Sequence, residues 1–398
     1  MKNDWIEVEL GEVADIISGK NQKEVENPNG EFPIYGSGGV FGFADQYLCP
    51  PGTTVIGRKG TINSPIFVNE KFWNVDTAFG IHPFEYVLPK LLFYFCKGFN
   101  FKNLDKSTTI PSLAKRDLLK IDFPLIPLPE QRAIVARVEE LFSELDHAIS
   151  NLKSAQAKLE IYRQAVLKKA FEGGFTSNID SFVSELPETW RKLKLGAILR
   201  VSSGKGLTSS QMDGGDYNVY GGNGKNGNHS SYLFEEAKLI IGRVGVRCGV
   251  THITSPKSWV TDNALVVEFK ENETHDLKFM KLKLEFENLN KLSNSTAQPV
   301  ISGSKIYEYE VMIPDFNEQL QIVQEIESRL SVADKLAETI QTNMLKSESL
   351  KQSILKQAFE GKLLMEAELE ACRKEADWEP AEKLLERIKK EKSKAKKS

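Results

Sequence analysis

Positive charge is not in surplus, cysteine is scarce and long apolar runs are missing from this 398-residue chain. Its 52 Lys and Arg stand against 55 Asp and Glu, a formal net charge of −3. That balance excludes nucleic-acid affinity driven by bulk positive charge and leaves a local basic face, or binding within a larger assembly. The four cysteines (Cys49, Cys96, Cys248, Cys372) and five histidines (His82, His147, His229, His252, His275) lie too far apart for a paired metal spacing or a disulfide framework. The start, MKNDWIEVEL, is too polar for a signal peptide. Residues 91–96, the most apolar stretch, fall far short of the roughly 20 residues that span a bilayer. A cytoplasmic chain is expected, and 40% hydrophobic with 27% charged residues describes an ordinary folded one.

Words for catalysis are also missing. There is no G-x-x-x-x-G-K-[ST] loop: in the glycine-rich stretch 222–227, Lys225 is followed by Asn226. No glycine fingerprint of a methyl-donor or dinucleotide site opens a helix, no G-x-S-x-G or H-E-x-x-H occurs, and Cys49-Pro50-Pro51-Gly52 is not an amino-methyltransferase tetrapeptide. Asp262…Glu268-Phe269-Lys270 has the outline of a metal-dependent nuclease site, but its counterpart around Asp76 and His82 carries no such carboxylate pair. The expectation is a chain without catalytic residues or a metal of its own.

What is present is a long internal repeat. Trp5, Leu10-Gly11, Ser18-Gly19-Lys20, Ile34-Tyr35-Gly36 and Ile56-Gly57-Arg58 recur 185 residues later as Trp190, Leu195-Gly196, Ser203-Gly204-Lys205, Val219-Tyr220-Gly221 and Ile241-Gly242-Arg243. The offset drifts to 188 for Glu130-Gln131 against Glu318-Gln319 and for Ala170-Phe171-Glu172-Gly173 against Ala358-Phe359-Glu360-Gly361. Loop insertions in a duplicated module produce such a drift. The fold class expected is α+β, with two β-rich modules and two long helices related by a pseudo-twofold repeat.

Within each copy, turn-forming residues alternate with short β-prone runs (53–56, 62–68, 239–241, 264–269), and helices are expected at 88–95 and 277–286. The expected boundaries are a module at 1–128, a long helix at 129–174, a linker at 175–186, a second module at 187–316, a second long helix at 317–361 and a tail at 362–398. Apolar residues of the first helix step by four and three, which keeps one stripe facing a partner helix. The seam expected is Val138, Leu141, Leu145, Leu152 and Leu159, with Ile326, Ala333, Leu336, Ile340, Leu350 and Ile354 on the second helix. In that frame Arg329, Asn343 and Ser347 would put polar groups into the seam. Two antiparallel rods of about 65 Å would follow from 1.5 Å per residue. The lysine-rich tail reads as a solvated helix, and Trp5, Trp73, Trp190 and Trp259 read as core.

Matched polar loops are the candidate binding elements, because glycine lets backbone approach a ligand and Arg, Lys, Asn, Gln, Ser and Thr donate to phosphates and base edges. In the first copy these are Lys20, Tyr35, Ser37, Arg58, Lys59, Asn74, Thr77 and Lys106. In the second they are Lys205, Tyr220, Asn223, Lys225, Asn226, Arg243, Arg247, Asn263 and Gln298.

W-x(4)-L-G, S-G-K, the Y-G loop, I-G-R, the P-L-P-E-Q and N-E-Q helix starts and the A-F-E-G helix ends, in this duplicated order, resemble the specificity subunit of type I restriction-modification systems. The likeness covers nearly the whole chain. It implies two target recognition domains, each reading one half of a split, asymmetric DNA site, with a coiled coil that spaces the half-sites and docks two modification subunits. It further implies restriction/translocase subunits in the full complex, and S-adenosylmethionine, ATP and Mg in those partners rather than here. Under it, Arg58, Lys59, Lys106, Lys205, Arg243 and Arg247 would be phosphate or guanine contacts. Tyr35, Ser37, Asn74, Thr77, Tyr220, Asn223, Asn226, Asn263 and Gln298 would be base-edge or sugar contacts. A coiled-coil adaptor joining two non-DNA partners, and the specificity subunit of a related fused restriction-methylation enzyme, stand as alternatives.

Overall fold

The computed structural model describes residues 4–175, 189–245, 247–293 and 299–395, so most of the expected linker 175–186 lies outside the described residues. The chain divides into two compact units, Met1–Leu152 with Thr342–Ser398, and Lys153–Gln341. Two 44-residue helices, Leu128–Phe171 and Phe316–Phe359, each contribute a part to either unit.

The first module is built on a four-stranded antiparallel sheet in the order Ala14–Ser18, Ala78–Pro83, Thr53–Gly57, Ile66–Val68. Its strand Thr53–Gly57 is buried at every residue, in line with the β-branched run 53–56. A three-stranded sheet follows, Gly39–Ala44, Phe32–Gly36 and Trp73–Asn74, with the last pair parallel. Ile6–Glu9 pairs with Asp122–Leu125, so the module's two ends meet just before the long helix. The second module repeats every step. Its sheets run Leu199–Ser203, Ala264–Phe269, Leu239–Gly242, Thr251–Ile253 and Gly224–His229, Tyr217–Gly221, Ser258–Val260, closed by Arg191–Lys194 with Glu310–Ile313. All four of the tryptophans Trp5, Trp73, Trp190 and Trp259 are buried.

The Glu-Gln word at each helix start is a clamp. Glu130 is buried and accepts the Trp5 indole N–H at 2.7 Å; Glu318 accepts that of Trp190 at 2.8 Å. Gln131 accepts from the Leu88 backbone N–H at 2.8 Å and donates to the carbonyls of Ile126 and Tyr86. Gln319 accepts from Asp276 N–H at 3.0 Å and donates to the Pro314 carbonyl, and its other contact is the His275 ring at 3.1 Å. One side chain thus ties the long helix to both the closing strand and the module's own helix. Each buried partner left unpaired by loss of such an amide costs about 1–3 kcal/mol.

The long helices pair antiparallel in both units. In the first, Asp146 meets Lys351 at 2.6 Å and Ile134 lies beside Ala358. In the second, Arg163 meets Asp334 at 2.6 Å while Arg329 sits over the ring of Phe175, just past the first helix. The frame of the second helix differs from the one expected. Ile326, Ala333, Ile340 and Ile354 are buried, but Leu336 is 50% exposed and Leu350 48%. Past Ala333 the inward line steps four then three, through Ala337, Met344 and Lys351 in place of Leu336, Asn343 and Leu350, while Arg329 and Leu330 are both half-buried. Apolar residues sit side by side at 336 and 337, so the heptad pattern alone admits both frames; packing of Ile322, Val323 and Ile326 into the module core accompanies the frame adopted. Of the three polar seam residues expected, Asn343 is exposed while Arg329 and Ser347 are half-buried, Arg329 over the Phe175 ring and Ser347 with its hydroxyl donating to the Asn343 carbonyl at 2.9 Å. On the first helix Val138 is buried and Leu141, Leu145, Leu152 and Leu159 are half-buried, while Phe142 and Ile149 also turn in.

The tail is helical, Glu366–Arg373 and Ala381–Ala395, but not the solvated helix expected. Leu364, Leu369, Ala381, Leu384 and Ile388 join the first module's core. Arg132 forks onto Asp377 at 2.8 and 2.9 Å and reaches Glu375 at 2.6 Å; Arg373 pairs with Asp4 at 2.7 Å and Lys389 with Glu12 at 2.9 Å. Alternation of charge with Leu384 and Ile388 gives the last helix one apolar face, and burial of that face outweighs its overall charge.

Candidate nucleic-acid interface

The loops singled out by composition are knitted together by the same backbone hydrogen bonds in both modules. In the first, Arg58 N–H donates to the Thr77 carbonyl at 2.8 Å, Leu113 N–H to Arg58 at 2.9 Å and Gly60 N–H to Pro111 at 2.9 Å. In the second, Arg243 N–H donates to Asn263 at 2.9 Å, Ile301 N–H to Arg243 at 3.0 Å and Gly245 N–H to Pro299 at 3.0 Å. Lys20 N–H donates to Asn74, and its carbonyl accepts the Trp73 indole at 3.1 Å; Lys205 donates to Val260 and accepts from Trp259 at 2.9 Å. Gly19 and Gly204 are needed here: a Cβ would lie 1.8 Å from the Val75 carbonyl oxygen and 2.4 Å from that of Thr261.

Ser37 and Thr77 line one open cleft of about 430 Å³ with Gln22, Asp76, Val40 and Phe41. Lys20, Arg58, Lys59, Lys205, Lys225 and Arg247 are exposed and Arg243 half-buried, and among the described residues none of these seven cations is in a carboxylate ion pair. Arg58 lies over the Phe79 ring and reaches the Asp76 carbonyl at 3.4 Å; Arg243 reaches the Ser203 hydroxyl at 3.3 Å. Cations without a carboxylate partner suit a polyanion. Lys106 differs, pairing with Asp117 at 3.2 Å on a loop that adjoins Lys59 through Ser112.

One expected contact is corrected, and two others are partly engaged within the fold. Asn74 is fully buried and its amide donates to the carbonyls of Ile17 and Ala78, because it braces the crossing between the two sheets. Tyr220 accepts the Ser255 N–H at 3.1 Å with its hydroxyl and packs against the buried Ile240–Val266 cluster. Tyr35 is half-buried, edge-on to Phe72 at 5.2 Å, and burial raises its phenol pKa. Asn223, Asn226 and Asn263 are exposed. Gln298, like Ser295 and Thr296, lies outside the described residues. In the nuclease-like outline, the Lys270 ammonium donates to the Gly196 carbonyl at 2.6 Å, a structural cap.

Val40 and Phe41 were not among the expected contacts. Strand register sets Tyr35 opposite Val40 and Tyr220 opposite Lys225, with the same bulge before each tyrosine. Carrying Lys225 and Asn226 back by the repeat offset of 185 lands on Val40 and Phe41, so the signal was in the sequence.

A family model described as the type I restriction modification DNA specificity domain matches residues 2–154 and again 187–345. The chain belongs to this family. Among relatives, the type I restriction enzyme StySPI specificity subunit of Salmonella potsdam is 25% identical over 356 residues, 79% of this chain and 74% of the relative. The EcoDI specificity subunit of Escherichia coli is 22% identical over 432 residues, 98% and 96% of the two chains. A solved chain from work on complex assembly and conformational transition of the type I R-M system superposes with a TM-score of 0.75 at 18% identity, covering 91% of this chain and 99% of that one. The resemblance read from the short motifs and the mixed α and β fold with its repeat both stand.

Proposed function

We propose that this chain is the DNA-sequence-specificity subunit of a type I restriction-modification complex, each module reading one half of an asymmetric bipartite site. The observation that carries the reading is a single hydrogen-bond frame, present twice, that presents unpaired cations and loops of different chemistry. Equal frames dock alike; unlike loops read unlike sequences. The paired helices fix the half-site spacing, as dimer geometry does for other DNA readers. Ile161, Tyr162, Val332, Leu336, Leu345 and Leu350 are exposed apolar residues on those helices, suited to docking two modification subunits. Methylation and cleavage belong to the partners, which bring S-adenosylmethionine, ATP and Mg, in the cytoplasm of a prokaryote. Among the described residues no helix is long and apolar enough to cross a membrane.

The test is a genome-wide map of adenine methylation by the cognate modification subunit, with and without this chain. A split motif of two unlike halves at fixed spacing, lost without the chain, is the expected result. Unchanged methylation with a soluble complex still formed would overturn the reading and favour an adaptor, whose affinity for duplex would lack the steep salt dependence of phosphate contacts.

A further inference from the structure

The hairpin tips of the two modules share a backbone and oppose each other in chemistry. Gly39 (φ 110°) and Gly224 (φ 93°) make the same turn, and Val40, Phe41 and Phe43 stand where Lys225, Asn226 and Asn228 stand in the second copy. Phe41 lies across Gly36, 3.3 Å from where a Cβ would be, as Asn226 lies across Gly221. Val40 is 49% exposed, Phe41 56% and Phe43 44%. The second module forms this hairpin with polar residues, so the fold does not require the apolar ones. Arg58 and Lys59 donate their backbone N–H groups to Thr77, which lines the cleft of Val40 and Phe41, and with Lys20 they are in no carboxylate ion pair among the described residues, a charge complement to a phosphate backbone. Side chains without donors or acceptors cannot read base edges by hydrogen bonds, and the one apolar group a base pair offers in the major groove is the thymine C5-methyl.

We propose that Val40 and Phe41 read a thymine methyl in the half-site of the first module, where Lys225 and Asn226 read theirs by hydrogen bonding. The inference rests on the chain being a DNA specificity subunit. The probe is a duplex carrying the mapped methylation site, with each thymine of the first module's half replaced in turn by uracil, which lacks only the methyl. The assembled complex with the wild-type chain should lose roughly fourfold in kcat/KM at one such position, the size of one buried methyl. A V40K/F41N chain should be indifferent to that replacement and should shift its motif in that half alone, the intact second half reporting an assembled complex. Equal rates on every uracil duplex, a half-site without thymine, or a V40K/F41N chain that keeps the parent motif would each overturn the inference while leaving the subunit assignment standing. Should no methylation depend on the chain at all, both readings fall together.

Discussion

Against Phe359 at the end of the second long helix, the first module seats Phe95, ring centroids 5.4 Å apart; against Phe171 at the end of the first, the second module seats Lys283, its ammonium 5.2 Å from the ring centroid. Lys283 is buried and paired with Glu287 at 2.9 Å, which also accepts the Tyr309 hydroxyl. The same exchange of apolar for polar recurs along the frame. Val87 in the first copy answers His275 in the second, and Phe84 answers Lys270, each pair fixed by equivalent backbone bonds. At the last pair the tail intervenes: Lys392 lies over the Phe84 ring at 4.7 Å and donates to the Gly11 carbonyl at 2.8 Å, as Lys270 donates to Gly196. The second module caps its short helix with its own lysine, whereas the first borrows one from the tail. Duplicated backbone therefore constrains hydrogen-bond geometry tightly and side-chain chemistry loosely.

Removing residues 362–398 should break the comparison hardest. Exposing the core around Leu364, Leu369, Leu384 and Ile388 costs about 1.5–3 kcal/mol per side chain. Hydrogen exchange should speed up across Ile6–Glu9 and Leu10–Val13 of the first module and stay unchanged in the second. Equal acceleration in both, or none, would contradict the tail's role. Next in size, Gln131→Leu and Gln319→Leu should each destabilise by about 2–4 kcal/mol, since each buried amide bridges three groups. Calorimetry on both variants checks it, and near-neutral values would deny the clamp.

A smaller effect separates the modules by pH. His275 is held between Glu273 and Gln319, and burial lowers its pKa below 6.5 despite the Glu273 carboxylate; Arg191, 3.7 Å from Glu273, acts in the same direction as burial. The unfolded chain then binds more protons below pH 6.5, so the second module should lose stability as pH falls from 7 to 5. In His275→Val, the first module's residue, that dependence should flatten. Denaturant midpoints at the two pH values decide it, an unaltered slope counting against the account.

The repeat, the paired long helices and the loops were legible because short words recur at a nearly constant offset and each word holds a specific bond, as Glu130 holds Trp5. Leu336 was misplaced because Ala337 beside it supports a second heptad frame, and Leu350 because the residue turned inward beside it is Lys351, paired with Asp146. Asn74 looked like a base reader because composition does not reveal depth. The tail's apolar face was diluted by lysines, and its docking depends on partners more than 240 residues away, such as Arg132 for Asp377. Sequence spacing carries no information about contacts that remote.

Replacing residues 187–316 with the corresponding module of a relative, and mapping adenine methylation by the assembled complex, tests whether each module reads one half-site. The expected result is a new motif in which one half changes while the other half and the spacing between them stay as they were. A change in both halves, or in neither, would contradict it.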